Sequence, residues 1–159
     1  MIPHALSTLA LLGLALLLGA TVYESVVMAP NYGRDLPTSI DLARQFLRRT
    51  TPAHFFRPIM PITQLLLLGG LIAAWPIAAA RWQLLTALGL LVLLDVITFT
   101  FHYPRLAIMF KAPLQENPAG LARAAREWAL GNIVRAFLLV AAFLAALQAV
   151  TILATLPTA

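Results

Sequence analysis

The sequence predicts an all-α membrane protein, a four-transmembrane-helix bundle that forms a single integral membrane domain over residues 1–159. Two observations lead to this fold class. The chain is 61% hydrophobic and only 11% charged, whereas soluble domains carry about 25% charged residues. Four apolar stretches also approach the roughly 20 residues that a helix needs to cross a bilayer. Because the chain has no cysteine, disulfides, thiolate metal sites and thiol redox chemistry are excluded.

The predicted spans cover residues 5–28, 59–80, 84–103 and 133–156. Four such spans leave too little polar chain to surround them in water, so a soluble protein with buried core helices is disfavoured. For the first stretch, a cleaved signal peptide is the alternative. Signal peptides start with a basic segment, and the four residues before this stretch contain no Lys or Arg. A membrane span is therefore the favoured interpretation.

Basic residues are concentrated in the two long connections between the predicted spans. The first connection holds Arg34, Arg44, Arg48, Arg49 and Arg57, and the second holds Arg105, Lys111, Arg123 and Arg126. The short turn between the second and third spans has only Arg81, and the terminal segments have neither Lys nor Arg. The positive-inside rule predicts a multi-pass protein of the cell membrane with both long connections cytoplasmic and both termini outside. The net charge of +5 is thereby explained by orientation, and nucleic acid is not a predicted partner.

Each long connection is predicted to contain a short interfacial amphipathic helix. In the first, residues 38–49 show apolar residues at helical spacing, and Thr38 or Ser39 can cap the helix with Asp41 in its first turn. Such a helix is expected to lie at the membrane interface. In the second, Asn117 and Pro118 are a good cap and a good first residue, and this helix can run unbroken into the fourth span.

Polar residues within the spans point to a site. Asp95 lies near the middle of the third span, where an ionised carboxylate costs about 2.5–3.5 kcal/mol and is expected to face protein. His102 follows seven residues later, so both side chains share one helix face, roughly 10 Å apart along the axis. The other spans place polar residues at similar depth, namely Tyr23, Glu24, Gln64, Asn132 and Arg135. The sequence therefore predicts a polar pocket in the cytoplasmic half of the bundle.

Roles can be assigned within this predicted pocket. His102 or Asp95 would act as a general base, and Arg135 and Asn132 would stabilise a developing oxyanion. The candidate substrate-binding residues are Tyr23, Glu24, Gln64 and Trp128. Metal-ligand types are present at His54, His102 and Glu24, but no metal-binding spacing such as HxH or ExxH joins them. No metal is therefore predicted, and the cofactor remains unknown.

Each of these residues also has a purely structural interpretation. Asp95 can pair with Arg135 and hold the third and fourth spans together. Glu24 can pair with Arg57 or Arg105 as an interfacial ion pair. His54 can be an ordinary loop histidine, and His102 can hydrogen-bond a neighbouring helix.

Three short motifs resemble one family. They are VYESVVMAPN at residues 22–31, TFTFHYPRL at residues 98–106, and the set Trp128, Asn132 and Arg135. Together they are similar to the domain-of-unknown-function 1772 family, which includes the anthrone-oxygenase-like proteins; Arg105 stands where that family has Asn. The resemblance implies a four-helix membrane bundle. It also implies, for some members, oxygen-dependent oxidation of polycyclic phenolic ketones.

Three functions remain open from the sequence. An oxidoreductase or oxygenase-like protein acting on a small lipophilic molecule predicts a closed pocket beside His102. A transport or binding accessory predicts polar residues that continue toward the outer side. A structural subunit of a membrane complex predicts direct contact between Asp95 and Arg135 with no cavity. The predicted partners are membrane lipid and a small lipophilic molecule, with a homo-oligomer left open.

Overall fold

The computed structural model describes residues 1–155, which form five helices. They are α1 (Ile2–Gly33), α2 (Thr38–Phe46), α3 (Ala53–Ala73), α4 (Ala78–Phe110) and α5 (Pro118–Ala154). The four helices other than α2 are long and apolar enough to cross a membrane, which confirms the predicted helical class. Two of them contain a five-residue π-helical segment, Glu24–Met28 in α1 and Thr98–His102 in α4.

The middle spans differ from their predicted bounds. The second was predicted over residues 59–80, but α3 begins at Ala53 and ends at Ala73. A turn at residues 74–76 follows, because Pro76 disfavours helical geometry in the residue before it. Pro58 and Pro61 lie inside α3, which membrane helices tolerate better than soluble ones. The third span was predicted over residues 84–103, and α4 extends beyond it at both ends.

α5 joins two predicted elements into one helix of 37 residues. The Asn117 side chain accepts a hydrogen bond from the Gly120 backbone N–H at 2.8 Å, as expected for the predicted cap. The helix then continues through Gly131 without interruption. Its predicted end at residue 156 lies outside the described residues.

The four long helices run alternately up and down in a closed ring with the order α1, α3, α4, α5. Side-chain contacts fix this arrangement, because residues toward the start of one helix meet residues toward the end of its neighbour. The pairs are Ser7 with Gly70, Glu127 with Arg105, and Arg135 with Glu24, whereas Gln64 and Asp95 meet near the middle of α3 and α4. The C-terminal ends of α1 and α4 therefore lie with the N-terminal ends of α3 and α5. We call this end, which also carries α2 and both long connections, the loop end.

Two apolar cores stabilise the bundle. The larger fills the ring toward the opposite end and consists almost entirely of leucine and alanine, including Leu14, Leu67, Leu91 and Leu139. The smaller lies at the loop end, where Ile40 of α2 packs with Tyr32, Met109 and Trp128. Between the two cores lies the cavity described below.

α2 is attached to the loop end through Arg44. Its guanidinium donates to the Met109 carbonyl oxygen at 2.7 and 3.0 Å and to the Ala112 carbonyl oxygen at 2.7 Å. Met109 lies in the last turn of α4, whose last carbonyls have no partner within the helix, and Ala112 lies two residues after the end of that helix. On the other face of α2, Leu42 and Phe46 are 61% and 82% exposed. The helix ends at Phe46 rather than at residue 49.

Candidate functional site

A cavity of about 650 Å³ lies inside the ring at the loop end. All four long helices line it, together with part of the connection between α2 and α3. Its charged and polar lining residues include Glu24, Arg57, Gln64, Asp95, Thr98, His102, Lys111 and Arg135. This volume falls within the roughly 300–1,000 Å³ range of small-molecule sites.

The cavity is long and has distinct ends. Along α4 its lining runs from Asp95 to Lys111, sixteen residues or about 24 Å of helix. Below Asp95, Leu94 and Leu91 are fully buried in the large core, so the Asp95 level is the floor. Lys111 marks the mouth, next to lining residues 51 and 52 of the connection.

The two π-helical segments carry two of the site residues. Glu24 is the first residue of one segment and His102 is the last residue of the other. In both segments the N–H of the following residue bonds five residues back, from Ala29 to Glu24 and from Tyr103 to Thr98. A proline comes next in each case, Pro30 and Pro104, and proline cannot donate to a helical bond. Such π turns occur frequently at functional sites, and here both face one cavity.

His102 is buried against α5 and reaches the cavity. It is 1% exposed, and a Cβ on Gly131 would lie 2.8 Å from its Nε2. Glycine at position 131 therefore makes room for the imidazole. Within residues 1–155 neither ring nitrogen has a hydrogen-bond partner. A buried polar group of this kind calls for a ligand or a solvent partner.

Arg135 forms the centre of the charged floor. Its guanidinium lies 4.0 Å from the Glu24 carboxylate and donates to the Asn132 side-chain oxygen at 3.2 Å. It also lies 5.3 Å from the centroid of the Phe56 ring, a cation–π contact from α5 to α3. Glu24 and Arg135 are each 7% exposed, so this ion pair is held away from bulk solvent.

Asp95 has a neutral partner. Its Oδ2 accepts a hydrogen bond of 2.7 Å from the Gln64 amide, which links α4 to α3 at the floor. Among the described residues, the alternative in which Asp95 pairs with Arg135 is not found, because an amide from α3 takes that place. The two alternatives for Glu24 are not found either, since Glu24 faces Arg135 and Arg105 pairs with Glu127.

Aromatic rings form the wall between floor and mouth. Tyr32 packs at 5.4 Å on Trp128 and at 5.7 Å, edge to face, on Phe110. Phe99 and Tyr103 of α4 also line the cavity, and they are 62% and 39% exposed. The cavity is therefore lined by exposed rings on one flank of the bundle.

Six of the eight predicted site residues line this cavity, namely Glu24, Gln64, Asp95, Trp128, His102 and Arg135. The other two do not. Tyr23 is 57% exposed, because the next position on the helix, Glu24, is the one that faces the interior. Asn132 is fully buried and contacts Arg135 instead of the cavity.

Sequence reasoning missed Tyr32, Phe56 and Phe110 as parts of the wall. Aromatic residues are common in apolar stretches, so their presence there did not indicate that they line a cavity. The prolines at positions 30 and 104 were a usable signal, because each follows a helix segment whose hydrogen-bond pattern it must disturb.

The three candidate metal ligands do not lie together in the structure. The described part of the chain contains no group of three His, Cys, Asp or Glu residues placed to hold a metal ion. His54 is exposed, and its Nδ1 accepts a hydrogen bond from the Thr51 backbone N–H at 3.1 Å. It does not line the cavity that contains Glu24 and His102.

The fold and the cavity together define a class: an α-helical bundle with four helices long and apolar enough to span a membrane and a partly open polar site at one end. Comparison with protein-family models, curated proteins and solved structures finds no match to this chain.

Proposed function

We propose that this chain is a multi-pass cell-membrane protein that binds a small lipophilic molecule in the loop-end cavity and oxidises it. One observation carries the proposal. A buried histidine without a hydrogen-bond partner in residues 1–155 shares a 650 Å³ cavity with a carboxylate–guanidinium pair. The resemblance to the domain-of-unknown-function 1772 family supplies the reaction class.

The proposed orientation places the loop end in the cytoplasm. The basic residues of both long connections support it through the positive-inside rule. α2 then lies at the membrane interface, because its exposed Leu42 and Phe46 need an apolar environment. In this arrangement the exposed flank of the cavity, at Phe99 and Tyr103, faces lipid and admits a substrate from the bilayer.

The proposed chemistry begins with proton removal. His102 takes a proton from a methylene carbon that a conjugated carbonyl group makes acidic, which is general-base catalysis. Arg135 stabilises the oxygen of the conjugated enolate that forms, and Asn132 holds the guanidinium in place. Molecular oxygen is the co-reactant: the enolate carbon forms a C–O bond with it to give a hydroperoxide. Loss of the second methylene proton then breaks the O–O bond, so that one CH₂ group and O₂ give a carbonyl group and water.

The cavity weighs against the two other functions that the sequence left open. If the chain were only a structural subunit, Asp95 and Arg135 would be expected to contact each other directly. Instead Asp95 accepts a hydrogen bond from Gln64, and Asp95 and Arg135 both line a cavity. A transport accessory predicts polar residues toward the opposite end, where the large core is built from leucine and alanine.

The test uses anthrone, a tricyclic ketone with an acidic methylene group, and protein reconstituted in lipid vesicles. We expect oxygen uptake together with the absorbance of the oxidised product, both above the rate in protein-free vesicles. His102→Gln should remove this uptake, whereas Thr86→Val, at the opposite end of the bundle, should not. Uptake no faster than in protein-free vesicles would contradict the proposed reaction. Asp95→Asn tests the second candidate for the general base, and normal activity in that variant would exclude Asp95 from that role.

A further inference from the structure

Two cations line the cavity away from its floor, Arg57 about 10 Å from Gln64 along α3 and Lys111 farther out. Arg57 on α3 and Lys111 after α4 are both exposed and both contribute to the lining. Neither forms an ion pair with any residue in the described range 1–155. Of the carboxylates in the same cavity, Glu24 faces Arg135, and Asp95 accepts a hydrogen bond from the neutral Gln64 amide at the floor. The lining therefore has one more positive than negative charge, and the two unpaired cations lie away from the floor.

The cavity changes character along its length. Lys111 stands at the mouth, about 24 Å along α4 from Asp95 at the floor. Between them, Leu106, Phe110 and Trp128 form an apolar wall. A ligand that matches these surfaces, from the mouth to the floor, has an anionic head, an apolar body and a reactive group at its inner end.

The exposed flank of the cavity matches the way such a molecule lies in a bilayer. Phe99 and Tyr103, which line that flank, stack edge to face at 5.2 Å. An amphiphile in the adjacent leaflet already has its charged head at the interface and its chain in the hydrocarbon. It can move sideways into the cavity without carrying its charge through the membrane, a transfer that would be costly.

We infer that the occupant of the cavity is an amphiphile with an anionic head, a carboxylate or a phosphate monoester, which Arg57 and Lys111 bind away from the floor. The inference rests on the proposed function of the cavity as a binding site and specifies its substrate class. Cations that have no acidic partner can bind an anionic oxygen without first breaking an existing ion pair.

The experiment uses Trp128 as a reporter inside the cavity. The chain has three tryptophans, so a Trp75→Phe/Trp82→Phe background leaves Trp128 as the only fluorophore of its kind. This protein is placed in neutral phosphatidylcholine nanodiscs. Dibrominated C18 chains, which quench tryptophan on contact, are added with four heads: carboxylate, phosphate, alcohol and amine. We expect both anionic chains to quench Trp128 at about a tenfold lower mole fraction than the amine, with the alcohol between them. The tighter of the two anions identifies the head group.

Matched variants assign the preference to the two cations. Arg57→Gln/Lys111→Gln should weaken binding of the anionic chains by about three- to tenfold, the effect of one or two partly exposed ion pairs, and leave the alcohol unchanged. Arg126→Gln removes an exposed arginine of α5 that does not line the cavity and should change nothing. If the alcohol quenches as well as the anions, or the amine quenches best, the inference is overturned while ligand binding in the cavity stands. If no chain quenches Trp128, both the inference and the proposed binding site fall.

Discussion

The loop-end half of the bundle and the opposite half differ in how closely the helices approach. In the opposite half, α1 and α3 meet through small residues: a Cβ on Gly13 would overlap Thr63, and one on Gly70 would lie 2.9 Å from the Ser7 hydroxyl. Small residues allow such close contact between membrane helices. In the loop-end half the ring encloses a cavity of about 650 Å³. Close packing and the candidate site are thus assigned to different halves of the same four helices.

The π-helical segments account for part of this difference. Both lie in the loop-end half, and each changes the face that its helix presents, because a π turn inserts one extra residue. In α4 the buried positions Leu91 and Leu94 would continue at position 101, but the π turn places His102 in the interior instead. Glu24 is the first residue of its segment and still continues the buried spacing of Leu17 and Thr21. The change of hydrogen-bond register in α4 therefore contributes His102 to the site.

The largest expected effect is on the charged floor. Arg135→Met leaves the buried Glu24 carboxylate without its cation, and removing one partner of a buried ion pair costs about 3–5 kcal/mol. We expect a loss of that size in the free energy of unfolding, measured by titration with sodium dodecyl sulfate in mixed micelles. The double variant Glu24→Gln/Arg135→Met removes both charges and should recover most of the loss.

Arg123→Met is the matched control, because it removes an exposed arginine from the same helix, where the side chain is 74% exposed. A stability of Arg135→Met equal to that of this control would mean that the Glu24–Arg135 pair does not hold the loop-end half together. In that case the ion pair would not explain what stabilises the loop-end half.

A second variant tests the closely packed half. In Gly13→Ala the new methyl group overlaps the Thr63 side chain, and overpacking of this kind costs about 1–3 kcal/mol. Gly19→Ala is the control on the same helix, because a Cβ at position 19 meets nothing within 4 Å. Thr63→Ala should restore stability to the Gly13→Ala protein in the same micelle titration. Equal stability of the two glycine variants would show that close approach of α1 and α3 is not required.

The sequence predicted the four long helices because their apolar length is set by the bilayer and can be read residue by residue. It also predicted that Glu24, Asp95, His102 and Arg135 share one depth, since depth follows from position along a span. What it could not supply was the partner of each group. Whether Asp95 meets Gln64 or Arg135 depends on how each helix is rotated about its axis, and the all-round apolar surface of these helices leaves that rotation undefined.

The wrong predictions for Tyr23 and Asn132 have the same cause. Tyr23 and Glu24 are neighbours in the sequence, and only the helix rotation decides that Glu24 points inward while Tyr23 is 57% exposed. Asn132 and Arg135 are three residues apart on α5, and both are buried, but only the longer side chain reaches the cavity. Helical spacing gives the face of a residue, whereas reach and rotation decide what it contacts.

The smallest expected effect concerns the attachment of α2 at the cavity mouth. Arg44→Met removes the charge-assisted hydrogen bonds to Met109 and Ala112, which we expect to cost about 1–2 kcal/mol. Ile40 remains buried, so the loss should be local: amide hydrogen exchange should rise in α2 and in the last turn of α4, while the opposite half stays protected. Arg48→Met is the control, because Arg48 is exposed and follows α2. Faster exchange throughout the bundle would mean that the two halves unfold as one unit. The packed half and the site-bearing half would then differ in structure but not in local stability.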